Sequence, residues 1–213
     1  MDSWSTAPRE TTRLHVAGAG RLGAAAPAEP LELPWTYDPA QPPPTLGGAN
    51  LPPLPHGPRD HAALGARKDV LVFSTGPLKE ALRLEGNASF TFTFRCDAPD
   101  CDCVAQLCDA PPGGGAFPLA EGAVRARLRN GRAEPLHPGE ATRVTLRFRA
   151  TAADIAAGHE LRLYLASGGW PRYARNPHTG EDQWNGKEAK PLHVTLVVDE
   201  QNPALLELPR LAP

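Results

Sequence analysis

Aromatic side chains are scarce in this sequence, at 6% of 213 residues, and nowhere do the roughly 18 apolar residues of a membrane-spanning helix run together. The N-terminal Met1-Asp2-Ser3-Trp4-Ser5-Thr6 is polar, so no Sec-type export signal is expected and the chain is read as soluble and cytoplasmic. Charge of one sign is lacking as well. The 22 basic and 24 acidic residues are spread along the chain and leave a net charge of -2, which argues against nucleic acid or a membrane as a partner.

The motifs of independent catalysis are missing too. A serine hydrolase of the α/β type presents its nucleophile on a tight G-x-S-x-G turn, because that turn offers the hydroxyl to base and oxyanion hole together. Among Ser3, Ser5, Ser74, Ser89 and Ser167, the nearest imitation is Ala166-Ser167-Gly168-Gly169, which lacks the preceding glycine and the following helix. The seven histidines form no H-E-x-x-H or H-x-H pair, and no G-x-x-x-x-G-K-[ST] loop occurs. No catalytic residue, metal or cofactor is expected.

Proline (25) and glycine (20) are abundant instead, the composition of many short strands joined by punctuated loops. Ser89-Phe90-Thr91-Phe92-Thr93-Phe94 alternates without fault, placing three phenylalanines on one face of a strand, and that stripe is expected to be core. Asp69-Val70-Leu71-Val72-Phe73 suits a strand buried on both faces, and residues 142–148, 160–166, 192–198 and 205–209 also alternate. Residues 151–158 are expected as one helical turn capped by Thr151 and stopped by Gly158. The alternation of Arg125, Arg127 and Arg129 predicts a solvated strand face. Nine to eleven strands with almost no helix predict an all-β jelly-roll (galactose-binding-like) β-sandwich.

Residues 38–58, rich in proline yet carrying Leu46, Leu51 and Leu54, predict an ordered arm lying along the domain surface, with Asn50 tying its backbone. Residues 1–68 are thus read as short strands and a Pro-rich arm belonging to the sandwich, and 69–213 as its core, in a single domain. Cys96, Cys101, Cys103 and Cys108 follow C-x4-C-x-C-x4-C, which is not zinc-knuckle spacing. They are expected as buried packing residues in a reducing compartment, on a segment that pairs as a hairpin with the phenylalanine strand.

Unusual side chains gather in Trp170-Pro171-Arg172-Tyr173-Ala174-Arg175-Asn176-Pro177-His178-Thr179-Gly180-Glu181, a loop at a strand end. Trp170, Arg172, Tyr173, Arg175 and Asn176, with Asn50 of the arm, are the candidate domain-docking residues. A simpler role is bracing, with Arg172 and Arg175 bonded to nearby carbonyls and to Glu181 or Asp182.

Tyr37-Asp38-Pro39-Ala40, Pro44-Thr45-Leu46-Gly47-Gly48-Ala49-Asn50, Gly57-Pro58-Arg59-Asp60-His61, residues 69–78 and, most specifically, residues 171–181 follow one another along the chain. Together these blocks resemble the C-terminal domain of the X-Pro dipeptidyl-peptidase and cocaine-esterase (CocE/NonD) serine hydrolase family. The resemblance runs from about Leu14 to the end. It implies a jelly roll packed against an α/β-hydrolase domain that carries the Ser-His-Asp triad upstream, so no triad residue is assigned here and the chain alone is expected to be inactive. That catalytic partner would be separately encoded or lost; a homo-oligomer is left open. The alternative is a free-standing lectin-like module for carbohydrate or peptide, with Trp170, Tyr173 and Trp184 as a stacking platform.

Overall fold

The computed structural model describes residues 9–181 and 189–211, Arg9 by its backbone alone. Thirteen strands fill it: β1 (Arg9–Gly18), β2 (Arg21–Gly23), β3 (Leu31–Tyr37), β4 (Val70–Pro77), β5 (Leu82–Gly86), β6 (Ser89–Cys96), β7 (Asp102–Ala110), β8 (Phe117–Arg125), β9 (Thr142–Arg147), β10 (Thr151–Ile155), β11 (Glu160–Ala166), β12 (Leu192–Val198) and β13 (Leu205–Leu211). Two short 3-10 turns, Ala62–Ala66 and Ala126–Leu128, complete the regular structure. No helix among the described residues is long and apolar enough to cross a membrane.

The strands hydrogen-bond in the order β3-β12-β6-β13-β1-β2-β4-β11-β7-β8, with β9 on β6, β5 on β13 and β10 on β5. This one mixed sheet folds over itself as an all-β sandwich. Phe90, Phe92 and Phe94 of β6 are fully buried, and they share one core with Leu107 of β7, with Leu161, Leu163 and Leu165 of β11, and with Leu146 of β9. Period-two alternation is the cause in strands such as β9 and β12, which turn one row of side chains inward and the other outward, whereas β7 and most of β11 are covered on both faces. The rings of Phe90 and Phe92 stack at 4.7 Å between centroids.

Three local expectations are corrected. Residues 151–155 form β10, paired with β5 from Thr151↔Gly86 to Ile155↔Leu82, and not a helical turn. Burial of Ile155 in the core outweighs the helix preference of the alanines around it. The cysteine-bearing strand β7 pairs with β11 and β8 instead of folding back on β6. The third concerns the arginines, since β8 ends at Arg125 and the chain enters a 3-10 turn, leaving Arg125, Arg127 and Arg129 largely covered and ion-paired.

All four cysteines are buried free thiols. Burial pushes the Cys108 thiol up from its ordinary range, as expected where apolar surroundings disfavour the thiolate.

Residues 38–58 pack along the body between Tyr37 and the first 3-10 turn. Thr45 N donates to Trp170 O at 2.8 Å and Trp170 N to Pro43 O at 2.9 Å, so the arm is stitched to the loop after β11. Gly47, at φ 69°, could not carry a side chain: a Cβ there would lie 2.4 Å from Gly57 O. Leu46 is partly buried against the body, whereas Leu51 is 77% exposed.

Candidate functional site

Topology brings the candidate loop beside the start of β7. Strand β11 ends with Ala166 opposite Val104, so the chain that leaves it passes Asp102 and Asp100. At the far end of the loop, β12 begins with Leu192 opposite Tyr37, which carries Lys190 back to the same corner. The loop is thereby held at both ends by sheet register.

Asn176 is 2% exposed and is the centre of the attachment. Its Nδ2 donates to Asp100 Oδ2 and Asp102 Oδ1, each at 3.1 Å, and its Oδ1 accepts from His178 N at 2.9 Å. Arg125 forks onto Asp102 at 2.8 and 3.1 Å, and Arg127 Nε sits 3.1 Å from Asp100 Oδ2. Two buried carboxylates thus face two guanidinium groups, the arrangement a low-dielectric site needs to hold charge. Burial still pushes the Asp100 carboxyl above the usual range, against the pull of Asn176 and both arginines.

His178, at φ 64°, rests edge-on against Tyr37, with ring centroids 5.3 Å apart. Its Nδ1 donates to Lys190 O at 3.0 Å, while its buried Nε2 has no partner among the described residues. Burial pulls this imidazole below its ordinary value. Gly168 has to be glycine, because a Cβ there would stand 2.7 Å from Tyr37 Cε2.

A second polar chain crosses the opposite side of the loop. Glu121 of β8 accepts from Tyr173 Oη at 2.6 Å and from Gln106 Nε2 at 2.8 Å, and pairs with Arg172 Nε at 2.6 Å. Gln106 Oε1 in turn lies 2.9 Å from His61 Nδ1, and His61 Nε2 faces Leu46 O of the arm. Desolvation and the Glu121 carboxylate push the Tyr173 hydroxyl up to about 12. This network joins arm, β7, β8 and loop.

Trp170 and Arg175 stand apart from both networks. The Arg175 guanidinium stacks over the Trp170 ring, 4.7 Å from its centroid, and Trp170 is 43% exposed. Asn50 is buried and donates to Thr45 O at 3.2 Å and Pro55 O at 3.0 Å, so it shapes the arm from within. Of the residues read from sequence, then, Arg172, Tyr173 and Asn176 hold the loop to the body, Asn50 closes the arm, and Trp170 with Arg175 face outward. Among the described residues Arg172 pairs with Glu121 of β8 and Arg175 rests on the Trp170 ring, rather than either pairing with Glu181. Asp182 and Trp184 lie outside the described residues.

Sequence reasoning did not single out Asp100, Asp102, Gln106, Glu121 or His61. The one available signal was a run of polar residues in otherwise apolar strands, at Asp102 and Gln106 of β7 and Glu121 of β8. Ser167, the nearest imitation of a nucleophile, is fully buried and accepts from Trp35 Nε1 at 3.0 Å. It has no access to solvent and, among the described residues, no hydrogen bond to a His, Asp or Glu side chain. No group of three or more His, Cys, Asp or Glu side chains able to hold a metal occurs among the described residues.

Comparison with known proteins agrees with this geometry. Residues 2–207 match the X-Pro dipeptidyl-peptidase C-terminal non-catalytic domain, and the chain belongs to that family. It is 33% identical over 166 residues to a cocaine esterase of Rhodococcus sp. (strain MB1 Bresler), a match covering 76% of this chain and 29% of the esterase. The chain therefore spans under a third of the length of that curated relative. Its fold is shared with an aminopeptidase from a marine-sediment Thaumarchaeota archaeon, at TM-score 0.87 and 24% identity over 95% of this chain and 37% of the other. An α-amino acid ester hydrolase is similar at TM-score 0.82 and 23% identity, covering 93% of this chain and 36% of its own.

Proposed function

We propose that this chain is a docking module that packs against, and completes, an α/β-hydrolase catalytic domain, which would hydrolyse acyl esters, amides or X-Pro peptides. The observation that carries this reading is the division of labour in the 170–181 loop. Asn176, Tyr173 and Arg172 fix its backbone to the body, so that Trp170 and Arg175 are held outward on a rigid support. Rigid Trp and Arg side chains on a surface are the residue types that dominate protein interfaces, because they bury large area at small entropy cost. A jelly-roll topology, with residues 1–68 and 69–213 forming one domain, accords with β1 and β3 pairing with β13 and β12. The four free thiols suit a reducing, cytoplasmic compartment.

The lectin-like alternative needs an open aromatic platform. One face of Trp170 is already occupied by Arg175 and the Tyr173 hydroxyl is tied to Glu121, which favours docking. The test is to offer the isolated chain simple esters, aminoacyl esters and X-Pro anilides, together with a serine-directed fluorophosphonate. No turnover and no label are expected. Labelling of any serine would overturn the non-catalytic reading.

A further inference from the structure

The arm segment 43–49 is bordered by three cations without an ion pair among the described residues. Arg175 lies over Trp170, whose backbone bonds to Pro43 and Thr45. Arg59 packs its side chain against Gly47. Arg149 lines a cleft of about 270 Å³ beside Gly48 and Ala49, with Arg172, His61 and Glu121. All three arginines are exposed.

The carboxylates on this side are already engaged. Asp38 accepts from Ala40 N at 2.8 Å, and Asp60 accepts from Ala62 N and Ala116 N, each at 2.8 Å. Glu121 is shared by Arg172, Tyr173 and Gln106. Asp38 and Asp60 keep their own charge while accepting backbone N–H bonds, so among the described residues the face sets three arginines without an ion pair against two such carboxylates, on a protein whose net charge is -2. It also carries two of the exposed large apolar side chains, Trp170 at 43% and Leu51 at 77%. An apolar anchor ringed by unpaired cations is complementary to an apolar recess ringed by carboxylates, which would steer encounter and reject uncharged surfaces.

Building on the docking proposed above, we infer that the 43–49 arm, Trp170, Arg175, Arg59 and Arg149 form one recognition face whose partner is an acidic protein surface with an apolar recess. Arg175 and Arg149 supply the charge selection and Trp170 the buried contact. Arg172 keeps its pair with Glu121 and serves as support.

The chain, isotopically labelled, is titrated by NMR with a capped peptide of sequence Glu-Leu-Glu-Glu-Leu-Glu, and in parallel with Gln-Leu-Gln-Gln-Leu-Gln. Shifts are expected at the amides of residues 47–49 and 175 and at the Trp170 indole with the glutamate peptide alone. Binding should weaken about tenfold or more in the Arg149→Glu/Arg175→Glu double variant, and also at high salt. The Lys79→Glu variant, at a cation on another turn that has no ion pair among the described residues, should bind as the parent does. No binding of the glutamate peptide, equal binding of the glutamine peptide, or shifts gathered elsewhere would overturn the inference. A hydrolase domain that protects this face from hydrogen exchange while the glutamate peptide is ignored would preserve the docking and remove its acidic character.

Discussion

Asn176 Nδ2 stands 3.1 Å from Asp102 Oδ1, a bond between a loop and a strand 74 positions earlier in the chain. Both atoms are buried, so neither can turn to water when its partner is lost. Asn176→Ala leaves two carboxylates and His178 N each short of a partner and should cost about 2–4 kcal/mol. Urea denaturation measures it. Arg175→Ala, which removes only an exposed stacking contact, should cost about 1 kcal/mol or less.

The Tyr173 hydroxyl donates to Glu121 at 2.6 Å and is pushed up to about 12. Its folded value lies above its unfolded value near 10. The associated stability is therefore complete below pH 10 and disappears as pH rises through about 12. Absorbance titration of phenolate should show one late-ionising tyrosine fewer in Tyr173→Phe, with Tyr37 and Tyr164, both also raised by burial, still ionising late. Loss of no late component in that variant would remove the Glu121 contact from the account.

His178 gives the opposite dependence. Burial holds its ring below the ordinary value, so the unfolded chain takes up a proton near pH 6.5 that the folded one refuses. Stability is full above that pH and falls as pH drops through it toward the lower folded value, by at most about 1.4 kcal/mol per pH unit. Asp100, raised by burial, works in the other sense: its contribution is present below its unfolded value and lost as pH rises through the folded one. In His178→Asn, which tolerates the positive φ, the decline between about pH 7.5 and 5.5 should shrink. An unchanged decline would mean that another group titrates there.

Gly168→Ala forces a Cβ to 2.7 Å from Tyr37 Cε2 and should cost about 1–3 kcal/mol by displacing a ring that is 1% exposed. Tyr37→Leu in the same chain should recover part of that loss, and thermal denaturation of the single and double variants reads the difference.

The strands were legible wherever one face is apolar and the other polar, as in β6, because burial of a period-two row depends on local pattern alone. β10 was not, since Thr151-Ala152-Ala153-Asp154 carries a helix-compatible composition and only pairing with β5 makes it a strand. The loop was legible as a cluster of Trp, Arg, Tyr and Asn, yet its anchors were hidden. Asp100, Asp102 and Glu121 lie 50 to 76 positions from the residues they hold, and such distances are set by sheet order, which no short pattern reports. Arg125 and Arg127 were misplaced for the same reason: alternation predicts an outward face, but the partners that draw them inward are Asp102 of β7 and Asp100 two residues before it.

The central claim is that this domain meets a catalytic partner through the arm and the 170–181 loop. Hydrogen exchange of the chain, alone and mixed with an α/β-hydrolase domain of the same family, tests it most directly. The account predicts slowed exchange confined to residues 45–50 and 170–176, diminished by Trp170→Ala. Protection on the β3 or β10 edges instead, or none at any concentration, would contradict it.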